Sequence, residues 1–272
     1  MKKICERCTW SLGNDFSVLE EVMSASRITH LHLSLDPALA LEPGTSDTDP
    51  EYLKTVEKHQ WQPTAAMIGF AQEDYSTLKT IKQTGGIVPD RHWETNQQKV
   101  LKAIDLTASL KLEILTFHFG FIDKTKTKLR GRVQFLADAA EKKNVMILME
   151  TGQENAETLR DFLEEFSHPA LGVNFDPANM ILYGKGYPIL ALETLSPWVK
   201  HVHIKDARRS SVAGEWGKEV PWGEGDFDNE EFLKTLTHIG YQGAMAIERE
   251  AGSKRLDDIR HTARTLSRFY GS

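Results

Sequence analysis

Two hydrophobic periods trade places along this chain. Short runs alternate at period two or are apolar throughout, and the longer segments between them carry an apolar stripe at helical spacing. The short runs predict strands over Cys5–Ser11, Ile28–Leu35, Pro63–Phe70, Glu113–His118, Val145–Glu150, Leu171–Asp176, Val199–Lys205 and Gly243–Glu248. The longer segments predict helices over Asp15–Ser24, from an Asp49-Pro50 start to about His59, over Thr95–Ser109 and Thr127–Lys143, from an Asn155 cap to Phe166, and over Pro188–Leu195 and Asn229–His238. Asp-Pro supplies a capping oxygen and a preset first helical residue. A last helix puts Leu256, Ile259, Ala263, Leu266 and Phe269 on one face, with Gly271 just past its end. Gly85–Glu94 reads as a loop at the barrel mouth, and Ala207–Phe227 as a polar loop too long for a routine connection.

Eight alternating strand–helix units call for a parallel sheet covered by helices. A chain of 272 residues fits one closed (β/α)8 barrel, which takes about 250. The expectation is therefore a single TIM-barrel domain over residues 1–272. No G-x-G-x-x-G follows the first strand, so dinucleotide binding has no support.

The ends of four strands carry the candidate chemistry. VMILME ends in Glu150, LGVNFD in Asp176 and GAMAIE in Glu248, while HVHIKD carries His203. Glu150, Asp176 and His203 stand 26 and 27 residues apart, one strand–helix repeat each. The 45 residues to Glu248 leave room for a repeat plus a loop of roughly twenty residues. All four then meet at the mouth where such barrels keep their active sites. Three carboxylates and one imidazole suit a divalent ion with open positions better than a closed thiolate zinc site. Mn²⁺ comes first, with Mg²⁺, Co²⁺ or Zn²⁺ as alternatives. The bland alternative is that each carboxylate pairs with its own Lys or Arg.

Composition narrows the partners. A net charge of −6 argues against a phosphate-backbone binder, so no nucleic acid is expected. No apolar run reaches membrane-spanning length, and MKKICERCTW lacks an apolar signal core. With two cysteines, this predicts a cytoplasmic setting and no membrane partner. Cys5 and Cys8 form C-x-x-C, but in a strand rather than at a helix start, so packing is expected over redox or zinc chemistry. A homo-oligomer is compatible with the pattern, which does not fix subunit number.

Five motifs in order, METG (149–152), FDPAN (175–179), HVHIKDA (201–207), VPWGEGDFD (220–228) and IEREAG (247–252), resemble the xylose isomerase-like barrels. That family of sugar (phosphate) isomerases and epimerases includes ketose 3-epimerases, hydroxypyruvate isomerase, inosose dehydratase and the AP endonucleases. The resemblance implies that Glu150, Asp176, His203 and Glu248 hold the metal, and that Glu150 and Glu248 also exchange the proton. It implies a small-molecule substrate, a keto-sugar or sugar phosphate, converted through a metal-stabilised enediolate. The runner-up is a metal-dependent dehydratase or lyase, which the GEGD loop favours.

Departures matter. Ketose 3-epimerases carry Asp-x-x-His where this chain has Asp176-Pro177-Ala178-Asn179, so Asn179 is expected to bind substrate without titrating. Arg209, six residues after His203, is carried over as a substrate contact. The Asp-Arg-His motif and additional histidines of the AP endonucleases are absent, which counts against nuclease activity. From position alone, His118 at the end of strand four is a candidate acid/base, or else a histidine satisfied by its neighbours. Lys205 either meets substrate or pairs with a ligand carboxylate. Trp10, Trp216 and Trp222 are candidate apolar walls, Gly223 and Gly225 a weak phosphate signal, and His201 a structural residue deeper in the barrel.

Overall fold

The computed structural model describes residues 3–13, 15–26, 28–39, 51–122 and 127–271. The barrel strands are β1 (Cys5–Cys8), β2 (His30–Ser34), β3 (Gln62–Met67), β4 (Ile114–Phe117), β5 (Met146–Glu150), β6 (Leu171–Phe175) and β7 (Val199–Ile204), then β10 (Met245–Ile247). A two-stranded antiparallel hairpin of β8 (Asp206–Arg208) and β9 (Lys218–Val220) intervenes before the last. Every barrel strand is parallel to its neighbours and β10 closes onto β1, so the expected closed (β/α)8 barrel is the fold. The helices are α1 (Phe16–Ser26), α2 (Tyr52–Lys58), α3 (Leu78–Thr84), α4 (Trp93–Ser109), α5 (Thr127–Glu141), α6 (Ala156–Phe166), α7 (Pro177–Leu182), α8 (Pro188–Leu195), α9 (Asn229–His238) and α10 (Arg255–Tyr270).

The two faces of the barrel strands are both buried but chemically different. On β2, Leu31, Leu33 and the following Leu35 join the apolar core, whereas His32 bonds across the barrel to β7 and β4. Glu6 of β1 likewise reaches His201 of β7. Hydrogen bonds between strands that are not neighbours require inward-pointing side chains, so the upper interior is a polar layer. That layer needs partners for each of its groups, and it supports the mouth above it.

Several boundaries moved, each for a local reason. The first strand stops at Cys8 because Thr9–Leu12 turns as a 3-10 helix, ended by Gly13 at φ +69°. Helix α3 was not anticipated; its start is a reciprocal pair of threonines, Thr77 and Thr80, rather than the usual Ser/Thr with Glu. Helix α4 begins at Trp93, so the loop from Gly85 ends in a 3-10 turn at Asp90–His92. Helix α7 was also missed, although Asp176-Pro177 is a cap followed by a first-turn proline. Part of the 207–227 loop is the β8–β9 hairpin. Asn155 caps α6 as expected, accepting from the Thr158 amide at 2.9 Å. On α10, Ile259, Ala263 and Leu266 are buried, but Phe269 at the helix end is exposed. The Asp49-Pro50 start lies outside the described residues.

Candidate metal centre

Four strand ends place four side chains at one point. Glu150 is the last residue of β5, Asp176 and Glu248 directly follow β6 and β10, and His203 is the penultimate residue of β7. One ligand atom from each lies within 4.8 Å of all the others, and all four residues are buried. His203 Nδ1 is 3.3 Å from Glu150 Oε1, 3.5 Å from Asp176 Oδ2 and 3.0 Å from Glu248 Oε2.

The second oxygen of Asp176 explains how the carboxylate is aimed. Its Oδ1 caps α7, accepting from the Asn179 amide at 2.8 Å, and Thr151 clamps its backbone through bonds of 2.8 and 2.9 Å. Oδ2 is left facing the other ligands. Close approach of α7 needs Gly152, at φ +136°, because a Cβ there would sit 2.6 Å from that of Asn179.

Glu150 Oε2, Asp176 Oδ2, Glu248 Oε2 and His203 Nδ1 are all buried, and none makes a hydrogen bond of good geometry. Leaving such atoms unsatisfied costs about 1–3 kcal/mol each, more for charged groups. Convergence of all four atoms on one point, with three carboxylates and one imidazole, fits a divalent cation. The electrostatics agree. Although burial opposes it, the facing carboxylates hold the His203 imidazole well above its ordinary range. Burial pushes Asp176 up to about 6 against the pull of Lys205. The cluster as built calls for more positive charge.

His203 is oriented from behind. Its Nε2 lies 3.2 Å from His32 Nδ1, and His32 Nε2 lies 3.0 Å from Thr116 Oγ1, which donates to the Ala66 carbonyl at 3.2 Å. Burial keeps His32 neutral, its pKa well below the ordinary value. Asn174 Nδ2 meets the same Nε2 of His203 at 3.1 Å, so both neighbours hold that edge of the ring and leave Nδ1 turned toward the carboxylates. Deeper still, His201 Nδ1 donates to Asn174 Oδ1 at 2.8 Å, and its Nε2 meets Glu6. Burial raises Glu6 to about 8, so at neutral pH its carboxyl is the donor in that bond. His201 is thus structural, as expected.

Around the ligands lies a cavity of about 850 Å³, lined by Trp10, His118, Asn179 and Lys205 among the anticipated residues. Trp10 Nε1 donates to Glu248 Oε1 at 2.6 Å, and Asn179 Nδ2 to Glu150 Oε1 at 2.9 Å. His118 Nε2 lies 3.2 Å from Glu150 Oε2, and Lys205 Nζ 3.0 Å from Glu248 Oε2 and 2.9 Å from Glu250 Oε2. Lys205 thus pairs with a ligand-set carboxylate while also lining the cavity. Burial opposes ionisation of both glutamates, yet His118 with His203 and Lys205 with His203 hold Glu150 and Glu248 below the ordinary carboxylate range.

The other expected residues fall in several places. Arg209, the residue after β8, is exposed and donates to the Gly186 carbonyl at 3.1 Å, outside the cavity lining. Gly223 and Gly225 offer no phosphate cradle; both amides donate to Asp206 Oδ2, at 2.9 and 3.0 Å. Trp222 packs against Phe227 and Phe232, whereas Trp216 does line the cavity. Burial raises both thiols, Cys5 to about 12, so the C-x-x-C is protonated packing, although Cys8 sits beside His32 and His203. Sequence reasoning missed Glu73, Tyr75, Tyr183 and Glu250, which loops and α7 deliver, and His32, hidden in an alternating strand. The signal for His32 was its parity, since His30, His32 and Ser34 share one face.

Comparisons with known proteins bear on this arrangement. A xylose isomerase domain protein from Planctomyces limnophilus superposes with a TM-score of 0.85 at 28% identity, covering 98% of this chain and 96% of that one. A D-allulose 3-epimerase from Methylomonas sp., solved with D-allulose, shares the fold at a TM-score of 0.69 and 16% identity, over 99% and 98% of the two chains. An inosose dehydratase from Clostridium tetani is 27% identical over 143 residues. That match spans 46% of this chain and 47% of the enzyme, about half of either. No helix among the described residues is long and apolar enough to cross a membrane. The model of the xylose isomerase-like TIM barrel family matches residues 50–269, and the chain belongs to that family.

Proposed function

We propose that this protein is a divalent-metal-dependent isomerase or epimerase of a small keto-sugar. The observation that carries the proposal is the convergence of four buried, unsatisfied ligand atoms at the barrel mouth. Glu150, Asp176, His203 and Glu248 would hold the cation, which supplies Lewis-acid polarisation of a substrate carbonyl when bound.

The side chains account for the proton. Glu248, held ionised by Lys205 and fixed by Trp10 Nε1, is placed to remove a proton from the carbon beside the carbonyl. Glu150, backed by His118, is placed to return one. Burial works against protonation of His118, but Glu150 and Glu73 raise its pKa well above the ordinary value, so it supplies a proton to that side. Asn179 orients Glu150 and keeps hydrogen-bonding capacity for a hydroxyl. Trp10, Tyr75, Tyr183 and Trp216 exclude water from the reacting carbon.

The same protonated His118, whose Nδ1 lies 2.6 Å from the Tyr75 hydroxyl, also favours a second reading. An acid distinct from the carboxylate base is what expulsion of a β-hydroxyl as water requires, and the partial likeness to an inosose dehydratase points the same way. Proton NMR in D₂O with Mg²⁺ and a panel of ketoses and inososes decides between them. Exchange of a carbon-bound proton with the hydroxyls retained is expected for the isomerase. A dehydrated enone product instead establishes the dehydratase, and neither change with any substrate removes both.

A further inference from the structure

The cavity wall is acidic, and each cation on it among the described residues is already engaged. Six carboxylates line it among the described residues, those of Asp36, Glu73, Glu150, Glu219, Glu248 and Glu250. Against them stand Lys99, Lys205 and His118. Lys99 Nζ lies 2.7 Å from Asp36 Oδ1 and donates to the Gly69 carbonyl at 2.6 Å. Lys205 lies between Glu248 and Glu250, and His118 is held by Glu150 and the Tyr75 hydroxyl. No arginine lines the cavity among the described residues; Arg209 faces outward, and Arg249 is taken by Glu219 and Asp258. The Gly223 and Gly225 amides are bonded to Asp206. Even with a divalent cation added, the fixed charge of the wall stays negative.

What the wall does offer is neutral. Trp10, Phe70, Tyr75, Tyr183 and Trp216 give flat apolar surfaces. Trp216 Nε1 is buried without a partner, an uncharged donor suited to a hydroxyl oxygen.

We infer that the substrate is an uncharged polyhydroxy ketone, and that the site selects against phosphorylated and carboxylated sugars. The inference rests on the keto-sugar reading above. A phosphate dianion entering this cavity loses water and meets like charge, with no free guanidinium, ammonium or amide cradle among the described residues to receive it. Like-charge juxtaposition of this kind discriminates strongly between ligands of equal shape.

The test is a titration of the Mg²⁺-loaded protein followed by tryptophan fluorescence, since Trp10 and Trp216 stand in the wall. The probes are D-allulose and D-allulose 6-phosphate, D-fructose and D-fructose 6-phosphate, and 2-keto-D-gluconate. Neutral members are expected to bind at least about tenfold tighter than their charged counterparts (~1.4 kcal/mol). Glu250→Gln, which removes one carboxylate partner of Lys205, is expected to narrow that ratio. Equal or tighter binding of the phosphorylated or carboxylated sugars overturns the inference, as does a failure of every neutral ketose to bind. The D₂O exchange experiment reports separately on the reaction. Neutral sugars that bind without exchange leave this inference standing and remove the isomerase reading, whereas exchange confined to a sugar phosphate overturns the inference alone.

Discussion

His118 Nε2 lies 3.2 Å from Glu150 Oε2, so one ligand of the candidate metal centre is also half of a charged pair facing the cavity. Such a contact gives the imidazole a role beyond packing. His118→Gln is expected to lower the rate of substrate proton exchange by about 10²–10⁴-fold, the usual contribution of a positioned acid or base. Divalent-ion stoichiometry is expected to stay unchanged. Steady-state kinetics with metal analysis checks both, and an unaltered rate removes His118 from proton transfer.

Lys205 serves the other glutamate. Burial alone would raise Glu248; the ammonium 3.0 Å away, with His203, brings it below the ordinary carboxylate range. An ionised base therefore persists to low pH. Lys205→Met is expected to move the acidic limb of the kcat/KM profile to higher pH, because Glu248 then protonates sooner. A limb that stays in place shows that Lys205 does not set the base.

Behind His203, the ring of His32 fixes which nitrogen faces the ligands. Supporting partners of this kind are worth about 10–100-fold in metal affinity. His32→Leu is expected to weaken Mn²⁺ binding by that amount while the circular dichroism spectrum is kept. Unchanged affinity would mean that His203 is positioned by its strand and Asn174 alone.

The layer below titrates on its own. Glu6 is raised by burial to about 8 from an ordinary carboxyl value, so the folded chain holds a proton there that the unfolded chain releases. Stability from this group is fully present below about pH 4.5 and declines as pH rises toward 8. Glu6→Gln keeps a neutral hydrogen-bonding side chain at the position. Its melting temperature is expected to lose less than wild type between pH 5 and 8, and parallel curves for the two proteins contradict the assignment.

The clustering of Glu150, Asp176, His203 and Glu248 was legible because each strand is short, apolar and carries near its end a residue that does not belong in a core. The repeat length then aligned those residues at one mouth. Asp176 could be read twice, as ligand and as helix cap, yet α7 was missed because Pro177 looks like a break when the cap is not noticed. Glu73, Tyr75 and Glu250 were not legible, since loop residues acquire their positions from tertiary contacts rather than from a period. Gly223 and Gly225 misled for a related reason: glycines permit close backbone approach but do not say to what, and here it is the Asp206 carboxylate. Arg209 was read from its spacing after His203, and it falls just past the end of β8, where it meets the Gly186 carbonyl.

The central claim is a single divalent ion held by Glu150, Asp176, His203 and Glu248. Its most direct test is calorimetric titration of wild type and Asp176→Asn with Mn²⁺. Asparagine is as good a helix cap as aspartate, so Oδ1 can still serve the Asn179 amide while the ligand carboxylate is removed. One ion per chain in the wild type, with binding largely lost in an Asp176→Asn protein of near-native melting temperature, is the predicted result. A wild type that takes up no divalent ion, or a variant that binds it equally well, contradicts the account.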